Sequence, residues 1–389
     1  MSKDIKVFID GEVIVLDHFS GIGHYTAEVL LAFDALLGLP EYAHIKAEIG
    51  FPRKLVDRAE RFGFKHMRQR KTPFTPRIAN GLKKRGYIPP IDLLYGKKTY
   101  VFPHFSSWPT LFDSPQIPII YDLSFIKFPE HSAEANRVFL EKQTRLSASR
   151  ASRVITISEN SKREISEHYG VSADTIDIVT PILDKSKFYP RTQDEIRHVR
   201  AKYGIFDEYV LFVGNIEPRK NLVSLLKAYR GLQKEVQDRY ALLLVGAKGW
   251  NDDEIYTLIH DMRAEGLKIL QPSDYVTDAD LPALMSGATA FAFVSVYEGY
   301  GIPPVEAMAC GTAVISSNNS SLPEAVEDGA VMVEALDIDT IQDALHDLLN
   351  NSSLRNEVVV RGLARAQRLD AEKSARTFMD SIIKASENK

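Results

Sequence analysis

The sequence lacks most of what would mark a secreted, membrane-spanning or metal-stapled protein. It holds one cysteine, Cys310, in 389 residues, which excludes an internal disulfide and suits a reducing compartment. No apolar run approaches the roughly 20 residues of a membrane-spanning helix. The opening Met1-Ser2-Lys3-Asp4-Ile5-Lys6 has no signal-peptide core. The expected location is therefore cytoplasmic, with at most a peripheral place on the inner face of a membrane. Histidine and cysteine nowhere fall at zinc spacing. The acidic clusters Asp278-Ala279-Asp280 and Asn251-Asp252-Asp253-Glu254 stand where helices are about to begin, which reads as helix capping. No metal and no cofactor are expected. A formal net charge of −4 gives no nucleic-acid signature. The Gly-x-Ser-x-Gly elbow of serine hydrolases is missing. So is a full dinucleotide fingerprint, since Gly21-Ile22-Gly23 has no third glycine and no strand running straight into it. That disfavours a nicotinamide oxidoreductase.

What is present begins with length. A chain of 389 residues with 44% hydrophobic and 26% charged residues suits two ordinary globular domains. Strand-like and helix-like stretches alternate twice. The first series has strands at 5–10, 99–105, 117–121, 153–157 and 177–180, and helices at 25–37 and 161–169, the latter capped by Ser158 or Asn160. The second has strands at 209–214, 241–246, 269–275, 290–296, 313–316 and 330–334, and a helix at 221–232. Such alternation implies parallel sheets covered on both faces. The expected division is 1–190, 191–370 and a charged amphipathic helix at 371–389 that packs back on the first domain, with a polar linker in 184–207. Ligands of open α/β sheets bind beyond the carboxyl ends of the strands, so the cleft between the domains is the expected site.

Charge is unevenly spread. The segment 51–90 carries twelve Lys/Arg against two Asp/Glu, with Phe51, Phe62, Phe64, Phe74 and Tyr87 interleaved. It reads either as a solvated basic surface or as a docking face for anionic lipid headgroups or a phosphorylated acceptor.

Two segments carry chemistry. In Tyr297-Glu298-Gly299-Tyr300-Gly301-Ile302-Pro303-Pro304-Val305-Glu306 a buried strand runs into a glycine turn and a proline-led helix start, so backbone N–H groups point at whatever sits above the sheet. An anion is the natural guest. Two carboxylates there would repel a phosphate, but they accept hydrogen bonds from hydroxyls. Gly214-Asn215-Ile216-Glu217-Pro218-Arg219-Lys220-Asn221 brings two cations to a strand end, where they can hold a diphosphate without a metal and stabilise the charge on a departing one. Phosphate plus hydroxyls is the signature of a nucleotide sugar. Three further features stay open. Gly21 and Gly23 read as a phosphate or substrate loop or as a plain turn. Asp122, beside Tyr121 at a strand end, faces the cleft or serves as a cap or loop acceptor. His104, also at a strand end, is structural or faces the cleft. Cys310 reads as a buried inert thiol.

Taken together, Phe212-Val213-Gly214-Asn215-Ile216-Glu217-Pro218-Arg219-Lys220-Asn221, the Tyr297 to Gly311 segment, Ser320-Ser321-Leu322-Pro323-Glu324, Gly21-Ile22-Gly23 and Val154-Ile155-Thr156-Ile157-Ser158-Glu159 resemble the retaining glycosyltransferase family 4. The bacterial mannosyltransferase-like branch is nearest. The resemblance implies the α/β GT-B fold, with two Rossmann-like doubly wound domains facing across a cleft. It implies a metal-independent transfer of a hexose, mannose favoured, from a nucleotide diphosphate sugar such as GDP-mannose to a glycan or lipid-linked acceptor hydroxyl in cell-surface polysaccharide or glycolipid assembly. In that reading Arg219 and Lys220 hold the diphosphate, and Glu298 meets the donor sugar with backbone help from Gly299, Tyr300, Gly301 and Ile302. Gly214 and Asn215 line the donor site, Glu306 binds the ribose hydroxyls, and Tyr275 and Val276 lie near the base. Gly21, Gly23 and His104 sit by the phosphates or acceptor. Tyr121-Asp122 stands where the family commonly has His-Asp, and a tyrosine reaches further and does not titrate near neutrality. A UDP-sugar-dependent enzyme, or a sugar-nucleotide-binding protein with weak activity, remains the alternative.

Overall fold

Apolar runs bounded by turn residues become the strands, and the polar stretches between them become helices. The computed structural model describes residues 4–16, 21–73, 81–82, 89–129, 134–249 and 251–387. Among these, 4–129, 134–182 and 370–387 form one compact unit and 183–369 a second.

The first unit is built on a parallel sheet of β1 (Ile5–Asp10), β2 (Ile45–Pro52), β3 (Arg68–Thr72), β4 (Thr99–Phe102) and β5 (Gln116–Pro118), in the order β3-β2-β1-β4-β5. A parallel pair, β6 (Val154–Thr156) and β7 (Ile176–Ile178), joins it through a bridge between Ile119 and Ile155. The second unit has β8 (Glu208–Val213), β9 (Tyr240–Val245), β10 (Ile269–Leu270), β11 (Ala290–Phe293), β12 (Val314–Ser317) and β13 (Ala330–Val333), in the order β10-β9-β8-β11-β12-β13. Every pairing in it is parallel. Counted within its own unit this is the doubly wound order, which reverses direction beside its first strand, here between β8 and β11. Ligand sites of such sheets lie at that switch point, beyond the strand ends.

The central strands are apolar on both faces, as sheets covered by helices require. Val210, Leu211, Phe212, Leu242, Leu243, Phe291 and Phe293 are all fully buried. Helix ends follow local chemistry. Ser158 caps Glu159–Tyr169 by accepting from the Ser161 N–H, and Thr192 with Glu195 forms a reciprocal capping box at Gln193–Lys202.

Several expectations change. The stretch 184–207 is not an open linker, because the capped helix Gln193–Lys202 occupies its middle and belongs to the second unit. The chain passes between the units at 182–183 rather than at 190. By contrast, the final helix, Ala371–Glu387, belongs to the first unit, on which it was expected to pack, and there Phe378 meets Phe33 at 5.1 Å between ring centroids. Gly21 and Gly23 are not in a loop, since the helix Gly21–Leu37 already includes them. β2 and β3 had no counterpart in the sequence reading. β3 is an edge strand of sequence RQRKT with no apolar alternation, so nothing in its pattern betrays a strand. The acidic clusters are not side-chain caps either. Neither Asp252 nor Asp280 makes a capping hydrogen bond, and Asp280 instead takes bonds from Lys202 (2.7 Å), Tyr203 (2.8 Å) and Thr277 (2.7 Å).

Candidate active site

The site is assembled in the second unit at the carboxyl ends of β8 and β11. After β8 the chain turns through Gly214 and enters a short 3-10 helix, Pro218–Lys220, that ends at Asn221 in the left-handed region. Gly246, at the end of β9, is a glycine for a steric reason: a Cβ there would lie 1.9 Å from the Gly214 carbonyl oxygen. After β11 the chain runs through Glu298 to Gly301, whose φ of 118° opens the helix Ile302–Ala309. A Cβ on Gly301 would meet Leu322 Cδ2 at 2.6 Å, so both conformation and space require glycine.

Three of the expected side chains meet. Lys220 Nζ donates to Glu298 Oε1 at 2.7 Å, and the Arg219 guanidinium donates to Glu298 Oε2 at 2.9 Å. Arg219 also donates to the Tyr297 carbonyl at 2.8 Å and to Glu217 Oε1 at 2.9 Å. Lys220 lies over the Phe293 ring, 5.1 Å from its centroid, which favours a cation. Lys220 and Glu298 are both buried. Burial alone would raise the Glu298 pKa, but Arg219 and Lys220 outweigh it and hold the carboxyl at about 2. Burial draws the Lys220 pKa down, against the pull of Glu298. The carboxylate is thus ionised at every physiological pH, an acceptor that cannot serve as a proton donor.

Residues the sequence reading passed over hold this cluster in place. Asn221 donates to the carbonyls of Val294 (2.9 Å) and Ala335, locking the two strand ends together. Ser320 Oγ accepts from the Glu298 N–H at 3.0 Å. Ser321 Oγ lies 2.7 Å from the Glu298 carbonyl and 3.0 Å from that of Tyr300, and so donates to this pair. The signal was in the sequence, since Asn221 closes the Arg-Lys motif and both serines lie in a matching stretch.

Glu306 lies one helix further on. It is half-buried, and no hydrogen bond or ion pair of its carboxyl is found among the described residues. Burial raises its pKa to about 7, with Lys187 opposing and Asp278 adding to the shift. Gly299 and Gly301 are buried and Ile302 is half-buried, while Asn215 and Tyr275 are exposed and Val276 is half-buried. The Tyr300 phenol turns inward, 3.5 Å from Arg365, so only its backbone is available to a ligand. Cys310 is buried, and burial pushes its thiol up to about 12, which fits an inert side chain.

The candidates of the first unit behave differently. Tyr121 does not offer its hydroxyl to a ligand. It is buried, donates to the Pro103 carbonyl at 3.0 Å, lies 3.0 Å from Thr26 Oγ1 and packs edge-on against Tyr25 and Phe105. Its pKa is raised by burial. A strand-end position cannot tell which way a side chain turns, and this one turns inward. Asp122 is a loop acceptor, taking the Ser124 N–H (3.0 Å) and hydroxyl (2.8 Å). His104 pairs through Nε2 with Asp10 Oδ2 at 3.1 Å and through Nδ1 with Ser106. Among the described residues no group of three or more His, Cys, Asp or Glu is placed to hold a metal ion, and no helix is long and apolar enough to cross a membrane.

This geometry has relatives. The family described as Glycosyl transferases group 1 matches residues 195–363. O-antigen chain mannosyltransferase B of Escherichia coli is 35% identical over 257 residues, covering 66% of this chain and 67% of that one. The serotype-specific mannosyltransferase WbdA of Escherichia coli is 28% identical over 236 residues, covering 60% of this chain, but this chain spans only 29% of WbdA's length. Among solved structures, sucrose-phosphate synthase from Thermosynechococcus elongatus superposes with a TM-score of 0.71 at 18% identity, over 97% of this chain and 98% of that one. The chain belongs to the group 1 glycosyltransferase family and is a glycosyltransferase of the GT-B fold.

Proposed function

We propose that the protein transfers a hexose, mannose by preference, from a nucleotide diphosphate sugar to a hydroxyl of a glycan or lipid-linked acceptor, with retention at the anomeric carbon and without a metal. The observation that carries this reading is the convergence of Arg219 and Lys220 on the buried Glu298 at the switch point of the second sheet. Two fixed cations there can take over the charge of a diphosphate and of the leaving group as it departs. Glu298, with its pKa held at about 2, is suited to accepting hydrogen bonds from sugar hydroxyls. It is too weak a base to take the acceptor's proton. That favours a same-face reaction in which an oxygen of the departing diphosphate accepts it. Glu306, with no side-chain partner among the described residues, is suited to a ribose diol. The preference for mannose rests on the relatives, whose names describe mannosyltransferases, and the choice of GDP-mannose as its donor rests on the family resemblance alone.

The test is direct. Transfer from GDP-mannose should persist in EDTA and fall at least about 100-fold in Lys220→Ala, since a preorganised donor at a site of developing charge contributes on that scale. Strict dependence on Mg²⁺, or full activity in Lys220→Ala, would contradict the reading. A second reading, a donor-binding protein with little turnover, has one observation in its favour: Tyr121 keeps its hydroxyl for Pro103 and Thr26. Donor binding without transfer across an acceptor panel would select it.

A further inference from the structure

The amino-terminal half of the first sheet gathers cations on one face. β1, β2 and β3 run parallel, with Lys6 paired to Lys46 and Glu48 to Arg68. Side chains alternate along a strand, so Lys6, Lys46, Glu48, Arg68 and Arg70 share that face. Lys98, just before β4, joins them by bonding Glu48, and lies 5.9 Å from the centroid of the Phe8 ring. Arg70 donates to Glu48 at 2.8 Å. Burial alone would raise the Glu48 pKa, but Arg70 and Lys98 outweigh it and lower it, so this carboxylate is ionised and already engaged by two cations. Lys6, Lys46 and Arg68 are exposed and have no ion pair among the described residues. Lys46 donates only to the neutral Ala43 carbonyl, at 2.8 Å. Lys6, Lys46, Arg68 and Lys98 line a hollow of 590 Å³ together with Glu48 and His66, a volume in the range of small-molecule sites.

Cations on an edge strand discourage pairing with another chain, which accounts for Arg68 on β3. That reason does not reach Lys6 and Lys46, because β1 and β2 are inner strands. Like charges side by side on neighbouring strands weaken the pairing, so the fold bears a cost at Lys6 and Lys46. The acids nearest them in the chain do not line the hollow: Glu41 accepts from Arg376 at 2.9 Å, and Asp4 is exposed. The wall formed by His66 and Arg68 is fixed from beneath. The buried Asp34 carboxylate of the helix Gly21–Leu37 accepts from the N–H groups of Lys65 (2.8 Å), His66 (2.9 Å) and Met67 (2.7 Å). The hollow is also remote from the carboxyl ends of these strands, where ligands of parallel sheets bind.

We propose that Lys6, Lys46, Arg68 and Lys98 form a second anion site, at the amino ends of the first sheet, for a small soluble compound carrying two or more phosphate charges. Arg68 can grip phosphate oxygens in pairs, and the lysines supply point charges around it. Bound there, the ligand relieves the Lys6–Lys46 repulsion, so binding stabilises the first unit. The inference does not depend on the transfer reaction and would stand if that reading failed.

Isothermal titration of the full chain with inorganic pyrophosphate in EDTA tests it. The wild type should bind, more weakly as salt is raised. Lys6→Gln and Arg68→Gln should each lower the affinity about tenfold, the scale of one charge-assisted contact. Without ligand both should melt at or above the wild-type temperature, since each removes an uncompensated charge, and the two lie on separate strands, which guards against one that misfolds. Both should keep the transfer activity of the wild type. Arg219→Ala, which weakens the diphosphate grip of the second unit, should keep pyrophosphate binding at this site. Absence of pyrophosphate binding overturns the proposal. So does binding that Arg219→Ala abolishes while Lys6→Gln and Arg68→Gln retain it, because the ion would then sit only in the second unit. Binding through Lys6 and Arg68 to phosphatidylglycerol vesicles but not to pyrophosphate overturns it as well, since a lipid headgroup would then be the ligand.

Discussion

At the scale of single residues, the two glutamates titrate in opposite senses. Glu298 has its pKa lowered from 4.5 to about 2. Its contribution to stability is therefore present above pH 4.5 and lost as pH falls towards 2. Glu306 has its pKa raised from 4.5 to about 7, so the folded state binds its proton more tightly than the unfolded one. Its contribution is fully present below pH 4.5 and disappears as pH rises through 7. Glu306→Gln removes that dependence. At pH 8 the variant should be more stable than the wild type by on the order of 1–2 kcal/mol, discounted for partial solvent access. At pH 4.5 the two should be nearly equal. Thermal melts across pH decide this, and a variant that is less stable at pH 8 would contradict it. The same variant should bind donor more weakly, as expected of a residue kept for a ligand at some cost to the fold. Lys220→Ala should also lose about 3 kcal/mol of stability, because it strips a buried carboxylate of one of its two cations. Its activity must therefore be read well below its melting temperature.

At the scale of elements, the loop from β11 into the helix Ile302–Ala309 depends on Gly301. Gly301→Ala must accept a φ of 118° and a contact of 2.6 Å with Leu322. It should cost about 2–3 kcal/mol in denaturant unfolding, and a neutral effect would show that the turn has another solution. This turn and the Arg-Lys turn were legible in the sequence because their chemistry is local: a strand, special turn residues and a helix start within about a dozen positions. Elements whose cause is not local stayed hidden. β3 is a strand because β2 offers it an unpaired edge, not because of its own polar residues. The inward turn of Tyr121 depends on Thr26 and Pro103, which the chain brings near only once folded. Asp92 is similar, since the Leu111 N–H, the Phe112 N–H and the Ser114 hydroxyl that donate to its carboxylate lie 19 to 22 positions away. Glu298 could be read as a site residue, but its ionisation could not, because the burial and the bond to Lys220 span 78 positions.

At the scale of the whole molecule, alternation of strand and helix made the α/β class legible and the amphipathic final helix was expected on the first unit, whereas the crossing between units at 182–183 was not legible. The last helix returns to the first unit, with Phe378, Met379 and Ile382 fully buried. Phe378→Ala should cost about 3–5 kcal/mol. A chain ending at residue 369 should lose the cooperative unfolding of the first unit while the second unit keeps its own, and calorimetry of the truncated chain would show one transition missing. The central claim concerns the second unit alone: Arg219 and Lys220 grip a donor diphosphate at the switch point of its sheet. Isothermal titration of GDP-mannose in EDTA, on the wild type and on folded Lys220→Ala and Arg219→Ala, measures it most directly. The account predicts metal-free binding by the wild type and a loss of about tenfold or more in each variant, the scale of a charge-assisted hydrogen bond to phosphate. Equal affinity in all three proteins, or wild-type binding only when Mg²⁺ is restored, would contradict it.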